Sequence, residues 1–271
     1  MQVRQWWRAR AVDDDTRLDA QELLLHCLDV RRSSFYMMQN QQLSCEQLNW
    51  LDNQWLERVK GRPLPYILGR AWFWGMSLRV SADVLIPRPD TEVLVRALLD
   101  LDLPSQAKVA DLGTGSAAIA LAAALERPQW CLIGVDQSEL ALQIARQNVH
   151  DLAPGRVHLV RGSWFGPLRP QSLDVVVSNP PYLAPDDPHL VDLGDEPRSA
   201  LVAEDQGFAD LFELIQTAPA YLRPRGWLLL EHGWQQGEAV NQAFRNAGWQ
   251  CVRTLTDLAA RDRVSLGQWH G

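Results

Sequence analysis

Apolar and polar positions follow two different rhythms along this chain, and the change falls near residue 90. In the first stretch apolar residues recur at helical spacing. Behind the acidic run Asp13-Asp14-Asp15, which suits the positive end of a helix dipole, Leu18, Leu24, Leu25 and Leu28 predict a helix over 16–30. Ser44 followed by Gln47 is a capping-box pattern, after which Leu48, Leu51, Trp55 and Val59 share one face until Gly61 and Pro63 stop the helix. Residues 1–62 are therefore expected to form a small all-α bundle, with Trp6, Trp7, Trp50 and Trp55 assigned to its core.

The run Gly61-Arg62-Pro63-Leu64-Pro65-Tyr66-Ile67-Leu68-Gly69 sets two prolines between bracketing glycines, so continued helix is not expected and a linker is placed over 63–90. Within it Trp72 to Val80, aromatic and β-prone around Gly75, predicts a small hairpin. From Thr91 onward short apolar strands alternate with amphipathic helices, the pattern of a parallel α/β sheet over 91–271. Strands are predicted at 108–112, 131–135, 157–160, 174–178 and 227–231, helices at 116–125, 138–151, 208–222 and 238–247, and a closing hairpin from 251–255 and 264–269.

Composition narrows the class. In 271 residues, 46% apolar content fills real cores and 22% charge excludes a disordered or collagen-like chain, so two domains are expected. No apolar run approaches the length of a membrane span, and the start lacks the apolar core of a secretion signal, which predicts a cytoplasmic protein without membrane attachment. Cys27, Cys45, Cys131 and Cys251 are scattered; they are expected to be buried thiols, with no disulfide and no metal site. A net charge of −7 argues against stable nucleic-acid binding through many phosphate contacts.

Two stretches carry chemistry. Lys108-Val109-Ala110-Asp111-Leu112-Gly113-Thr114-Gly115-Ser116 runs from a strand through a Gly-x-Gly turn into a helix, where backbone approaches a nucleotide-like ligand closely. Some twenty residues on, Asp136 ends the next strand, where its carboxylate reaches ribose hydroxyls. Gly113-x-Gly115-x-x-Ala118 also fits a dinucleotide fingerprint, but Asp111 would oppose a pyrophosphate and attract the ammonium and sulfonium of S-adenosylmethionine. An alternative role for Asp111 is a hydrogen-bonded cap of the turn. The second stretch, Asn179-Pro180-Pro181-Tyr182, follows a strand directly. Its prolines stiffen the loop, and the Asn179 side chain and Pro180 carbonyl offer two acceptors to a planar NH₂ group on which Tyr182 stacks. A nitrogen with a delocalised lone pair held in this way needs no prior deprotonation, so neither base nor metal is required. Glu231 and His232 read as a hydrogen-bonded strand terminus, and Arg88 as a solvated arginine or a partner for a carboxylate.

These residues resemble the protein-(glutamine-N5) methyltransferases of the HemK/PrmC family, with matching stretches at 61–69, 85–92, 111–115, 163–165, 178–182, 196–201 and 228–237. The resemblance implies a class I S-adenosylmethionine-dependent fold: a Rossmann-like, mostly parallel seven-stranded sheet with an antiparallel last strand, preceded by the helical domain and hairpin linker. It implies that Asp111, Leu112, Gly113, Thr114 and Gly115 hold the methionine part of S-adenosyl-L-methionine, Asp136 the ribose and Trp164 the adenine, with S-adenosyl-L-homocysteine as product. Asn179, Pro180, Pro181 and Tyr182 are then the target site, Asn179 also meeting the cofactor. The implied substrate is the Gly-Gly-Gln glutamine of class I peptide chain release factors, with the helical domain aiding their recognition. Ala117 stands where the family usually has glycine, and Ser163 where it often has Asp. The competing functions are methylation of an exocyclic amine in DNA or RNA, and a dinucleotide oxidoreductase or non-catalytic binding module.

Overall fold

The first helices start on side chains that satisfy their exposed amides. In the computed structural model, which describes residues 1–271, α1 (Val3–Arg8) leads to α2 (Asp14–Leu28), where Asp13 accepts from the Thr16 amide at 2.8 Å. After short α3 (Phe35–Met38), α4 (Cys45–Val59) carries the predicted capping box: the Gln47 amide donates to Ser44 Oγ at 3.1 Å and the Ser44 amide to Gln47 Oε1 at 2.9 Å. The stretch expected as linker instead holds one more helix, α5 (Leu64–Leu68). Pro65 sits in its first turn, where a missing amide costs nothing, and Gly69 ends it in the left-handed region at φ 66°. The compact helical unit therefore runs from Met1 to Arg70, eight residues beyond the expected boundary.

Val3, Trp6, Leu23, Leu24, Phe35 and Leu51 form the core of this unit, with Trp7, Trp50 and Trp55 packed on it. Buried Trp6 donates its indole N–H to Asp52 Oδ1 at 2.7 Å, so the polar edge of the ring is not stranded. Leu18 and Val59, expected on the packed faces, lie near helix ends and are 41% and 67% exposed. The free cysteines are only partly covered, Cys45 and Cys251 being exposed rather than buried.

The second unit is Ala71–Gly271. The predicted hairpin, β1 (Arg70–Phe73) and β2 (Met76–Arg79), adds Phe73, Met76 and Leu78 to its core, each worth about 1.5–3 kcal/mol when buried. The chain continues through α6 (Glu92–Leu99), β3 (Lys108–Leu112), α7 (Ala118–Glu126), β4 (Cys131–Asp136), α8 (Glu139–Leu152), β5 (Val157–Arg161) and β6 (Leu173–Ser178). The remaining elements are the single turn α9 (Glu204–Gly207), α10 (Ala209–Thr217), β7 (Leu222–Glu231), α11 (Gly237–Asn246), β8 (Gln250–Thr256) and β9 (Asp262–Gln268). Buried Asn148 of α8 accepts from the Arg79 amide and donates to the Arg79 and Ser116 carbonyls, tying the hairpin to the start of α7.

Seven strands form one sheet in the order β5-β4-β3-β6-β7-β9-β8. All pair in parallel except β9, which runs antiparallel between β7 and β8. Alternation along β3 sends Val109 into one buried cluster and Ala110 and Leu112 into the other, so both faces are covered. From β3 the chain builds outward through β4 and β5 on one side and then crosses back to β6 on the other side of β3. This reversal opens a crevice at the carboxyl ends of those strands, which is where ligands bind in open α/β sheets. No helix is long and apolar enough to cross a membrane.

Candidate functional site

At the end of β3 the backbone turns sharply because Gly113 and Gly115 adopt φ of +70° and +55°. The Gly113 and Thr114 amides donate to the Val135 carbonyl at 2.8 and 3.0 Å, holding the turn against β4. Asp111, one turn back, is fully buried; its Oδ2 accepts from Thr114 Oγ1 at 2.6 Å and from the Ala120 amide at 3.3 Å. Its Oδ1 is sealed from water with no partner. Burial pushes the Asp111 carboxyl up to about 7, against the bonds from Thr114 and Ala120 and with help from the Asp136 charge. Asp111 thus performs the capping role that was its alternative reading, with one oxygen in reserve.

Asp136 closes β4 with both oxygens anchored, Oδ2 by the Gly115 amide and Oδ1 by the Ser138 amide, each at 2.9 Å. Each oxygen keeps a further lone pair for a hydroxyl donor. Ser178 at the end of β6 donates to the Leu112 carbonyl at 2.7 Å, which locks the β6 corner beside the glycine turn. Beyond it Asn179 Nδ2 donates to Thr91 Oγ1 at 3.4 Å, and the Pro180 carbonyl accepts no hydrogen bond from the chain. The Tyr182 hydroxyl points inward to Glu231 Oε1 at 3.4 Å, and burial with the Glu231 charge holds its phenol well above the ordinary range.

A cavity of about 600 Å³ lies at this sheet edge, and its wall brings together Gly113, Thr114, Gly115, Asp136, Trp164, Asn179 and Pro181. Asp111, Leu112 and Pro180 are buried next to these lining residues in sequence, and Tyr182 is half-buried beside Pro181. Tyr182 packs one side against the core cluster beneath the sheet edge. Trp164 takes a left-handed φ of 43° and lays its ring against Gly113.

Four further features were not singled out in the sequence. Thr91 and Asp210 line the cavity, and Asp210 is held above the ordinary carboxylate range by burial and Glu213, with its bond from Trp164 opposing. Glu196, almost fully buried, pairs with Arg88 and accepts from the Ile86 amide at 3.1 Å, so Arg88 meets a carboxylate of its own chain. Gln236 donates to the Tyr182 carbonyl at 3.1 Å and bridges to Gly207, bracing the corner from below. Arg88, Thr91, Glu196 and Gln236 fall in the matched stretches, but nothing in the local sequence says that Gln236 braces the corner; Asp210 lies outside them and depends on tertiary packing. His232, whose Nδ1 meets the Gly233 carbonyl and Nε2 meets Ser265 Oγ at 2.9 Å each, is the hydrogen-bonded strand terminus predicted.

The unpartnered Asp111 oxygen, the glycine turn and the anchored Asp136 suit a ligand that is cationic at one end and carries a ribose, with no pyrophosphate to repel. With the seven-stranded order and the proline corner, they define a class I S-adenosylmethionine-dependent methyltransferase. Proteins named release factor glutamine methyltransferase share 45% identity with it in Xylella fastidiosa strain Temecula1, over 97% of each chain, and 42% in Escherichia coli K12, over 98% of this chain and 99% of that one. The chain belongs to the release factor glutamine methyltransferase family. Residues 2–69 match the PrmC N-terminal domain and residues 89–191 the methyltransferase small domain. Among solved structures, a methyltransferase from Pyrococcus furiosus matches with TM-score 0.57 at 18% identity, over 81% of this chain and 99% of that one. The human Mettl16 catalytic domain, solved with an RNA hairpin, also reaches 0.57 at 17% identity over 73% and 76%. Both support the fold.

Proposed function

We propose that this chain transfers a methyl group from S-adenosyl-L-methionine to the side-chain amide nitrogen (N5) of the glutamine in the Gly-Gly-Gln motif of class I peptide chain release factors. The observation that carries the reading is the placing of Asn179 and Pro181 on the same cavity wall as Gly113, Gly115 and Asp136, within a chain whose full-length relatives carry that name. S-adenosyl-L-methionine supplies an electrophilic methyl group on a sulfonium. Asp111 Oδ1 and the turn from Leu112 to Gly115 hold its methionine end, Asp136 its ribose hydroxyls and Trp164 its adenine.

Asn179 Oδ1 and the Pro180 carbonyl accept the two hydrogens of the target amide, which turns one face of the nitrogen outward. The same acceptors stabilise the positive charge that grows on that nitrogen as the N–CH₃ bond forms and the S–CH₃ bond breaks, and one of the two N–H protons then leaves to water, giving the neutral N5-methyl amide. Tyr182 serves from behind, buttressing the corner through Glu231 and the core. The helical unit is assigned to release-factor recognition, by the likeness of residues 2–69 to the PrmC N-terminal domain.

Asn179→Ala lowers kcat about 10²–10³-fold while leaving S-adenosylhomocysteine affinity nearly unchanged, as expected for loss of an oriented polar contact. Unchanged turnover of the release-factor peptide by that variant defeats the assignment.

A further inference from the structure

S-adenosyl-L-methionine ends in an amino acid, so one end of it carries an ammonium and a carboxylate together. The buried Asp111 carboxyl beside the glycine turn suits the first and repels the second. The carboxylate therefore calls for donors elsewhere on the wall. Among the residues that line the cavity the acids are Asp83, Asp136 and Asp210, and Arg88 is the only lysine, arginine or histidine.

Local sequence and one buried acid hold Arg88 in place. It stands between Pro87 and Pro89 with extended backbone, φ −95° and ψ 145°, as the residue before a proline prefers. Its carbonyl accepts from the Thr91 amide at 3.1 Å, and Thr91 Oγ1 accepts from Asn179 Nδ2 at 3.4 Å. These bonds set Arg88 beside the proline corner, which Ser178 ties to the Leu112 carbonyl just before the glycine turn. The side chain is anchored by Glu196, which takes Arg88 Nη2 on Oε1 and the Ile86 amide on Oε2 at 3.1 Å. The Glu196 side chain is 3% exposed, and both its oxygens are satisfied by its own chain.

A guanidinium presents five N–H donors in one plane, and Glu196 takes one of them. Arg88 Nε and Nη1 meet no acceptor of the chain, and the side chain stays 36% exposed on the cavity wall. Glu196 thus fixes the fork and leaves its remaining donors for a planar anion.

We propose that Arg88, held in position by Glu196, binds the carboxylate at the methionine end of S-adenosyl-L-methionine. This rests on the cofactor reading given above. An acidic side chain of the release factor has the same chemistry, but Arg88 lines the cavity that also holds Gly113, Gly115 and Asp136, which places it with the cofactor.

The test measures by calorimetry the affinities of S-adenosylhomocysteine and of the analogue with a 3-aminopropyl chain in place of homocysteine. That analogue keeps the thioether, adenosine and ammonium but has no carboxylate. Removing Arg88 alone strands the buried Glu196 charge, so the variant is Arg88→Met with Glu196→Gln, its folding followed by melting temperature beside Glu196→Gln alone. The parent is expected to prefer S-adenosylhomocysteine by about tenfold or more, as for hydrogen bonds between charged groups. In the double variant the preference falls to within about twofold, while affinity for the analogue stays within about twofold of the parent. Glu196→Gln, which keeps Arg88 and an acceptor for it, keeps the preference. A folded double variant with the parental preference overturns the proposal, and if its KM for the release-factor peptide is raised, Arg88 serves the peptide instead. Equal weakening of both ligands, the mark of a purely structural pair, also overturns it, as does a Glu196→Gln variant that loses the preference as fully as the double. If the parent binds no S-adenosylhomocysteine the cofactor reading fails as well, whereas binding without preference removes the Arg88 role alone.

Discussion

Asp111 was legible in sequence as an acidic residue two positions before a Gly-x-Gly turn, but its division of labour was not. One oxygen ties Thr114 and the first turn of α7; the other is buried and unpaired, and the carboxyl rises from 3.8 to about 7. A carboxyl raised in this way binds a proton more tightly folded than unfolded. Its contribution to stability is complete below the unfolded value near 4 and is lost as pH rises to about 7. Glu231, also raised to about 7, has the same sign. Asp111→Asn should therefore lose less stability than the parent between about pH 5 and about pH 8, by on the order of 1–3 kcal/mol, in urea denaturation at the two values. Binding of a cationic ligand end at Asp111 drives off that proton, so calorimetry near about pH 6.5 in buffers of different ionisation heat should show proton release that Asp111→Asn abolishes. Equal proton release in both proteins would remove Asp111 from the site. Ala117 gives a second case. The missing glycine of the family pattern turns out to matter for backbone rather than for space, since Ala117 is held at φ 64°, ψ 27°. Ala117→Gly should raise stability by about 0.5–1 kcal/mol, read as a shift in urea midpoint at constant slope.

At the scale of elements, sequence periodicity located every strand of the large sheet: the central ones, β3, β4 and β6, are short apolar runs buried along most of their length, and the edge strands β5 and β8 still read as β-prone segments between turns. It also found α4, whose capping box is a local code. Ser44→Ala should destabilise the helical unit by about 1 kcal/mol, seen as a lower melting temperature with methylation kinetics at low temperature unchanged. The short helices α1, α5 and α6 escaped. At six, five and eight residues they show barely two turns of periodicity, and tertiary burial of Val3, Tyr66 and Leu94 holds them rather than propensity. The corner was readable as four residues, but its braces were not: Gln236 and Gly207 are more than twenty residues away in sequence. A methyl group added at Gly207, which sits at φ +87°, would collide with the Tyr182 carbonyl. Gly207→Ala is thus expected to lower kcat by about tenfold or more with little change in S-adenosylhomocysteine affinity, and a parental kcat would show that the corner tolerates the displacement.

For the whole molecule, the rhythm change was read near residue 90, whereas the compact helical unit ends at Arg70 and the hairpin belongs to the core of the larger one. Local signals mark where helices stop; they do not say which core claims the residues between. The large unit brings the ends of β3, β4 and β6 together, and with them a glycine turn, the anchored Asp136 carboxylate and a proline corner that are dispersed over 111–182 in sequence. That assembly, in a chain of net charge −7, favours a protein amide over a nucleobase as the acceptor. The decisive measurement is tandem mass spectrometry of a release factor incubated with this protein and S-adenosyl-L-methionine. A single added methyl on the side-chain amide of the Gly-Gly-Gln glutamine, absent with Asn179→Ala, is the predicted result; an unmodified glutamine, or methyl recovered on nucleic acid from the same reaction, would contradict it.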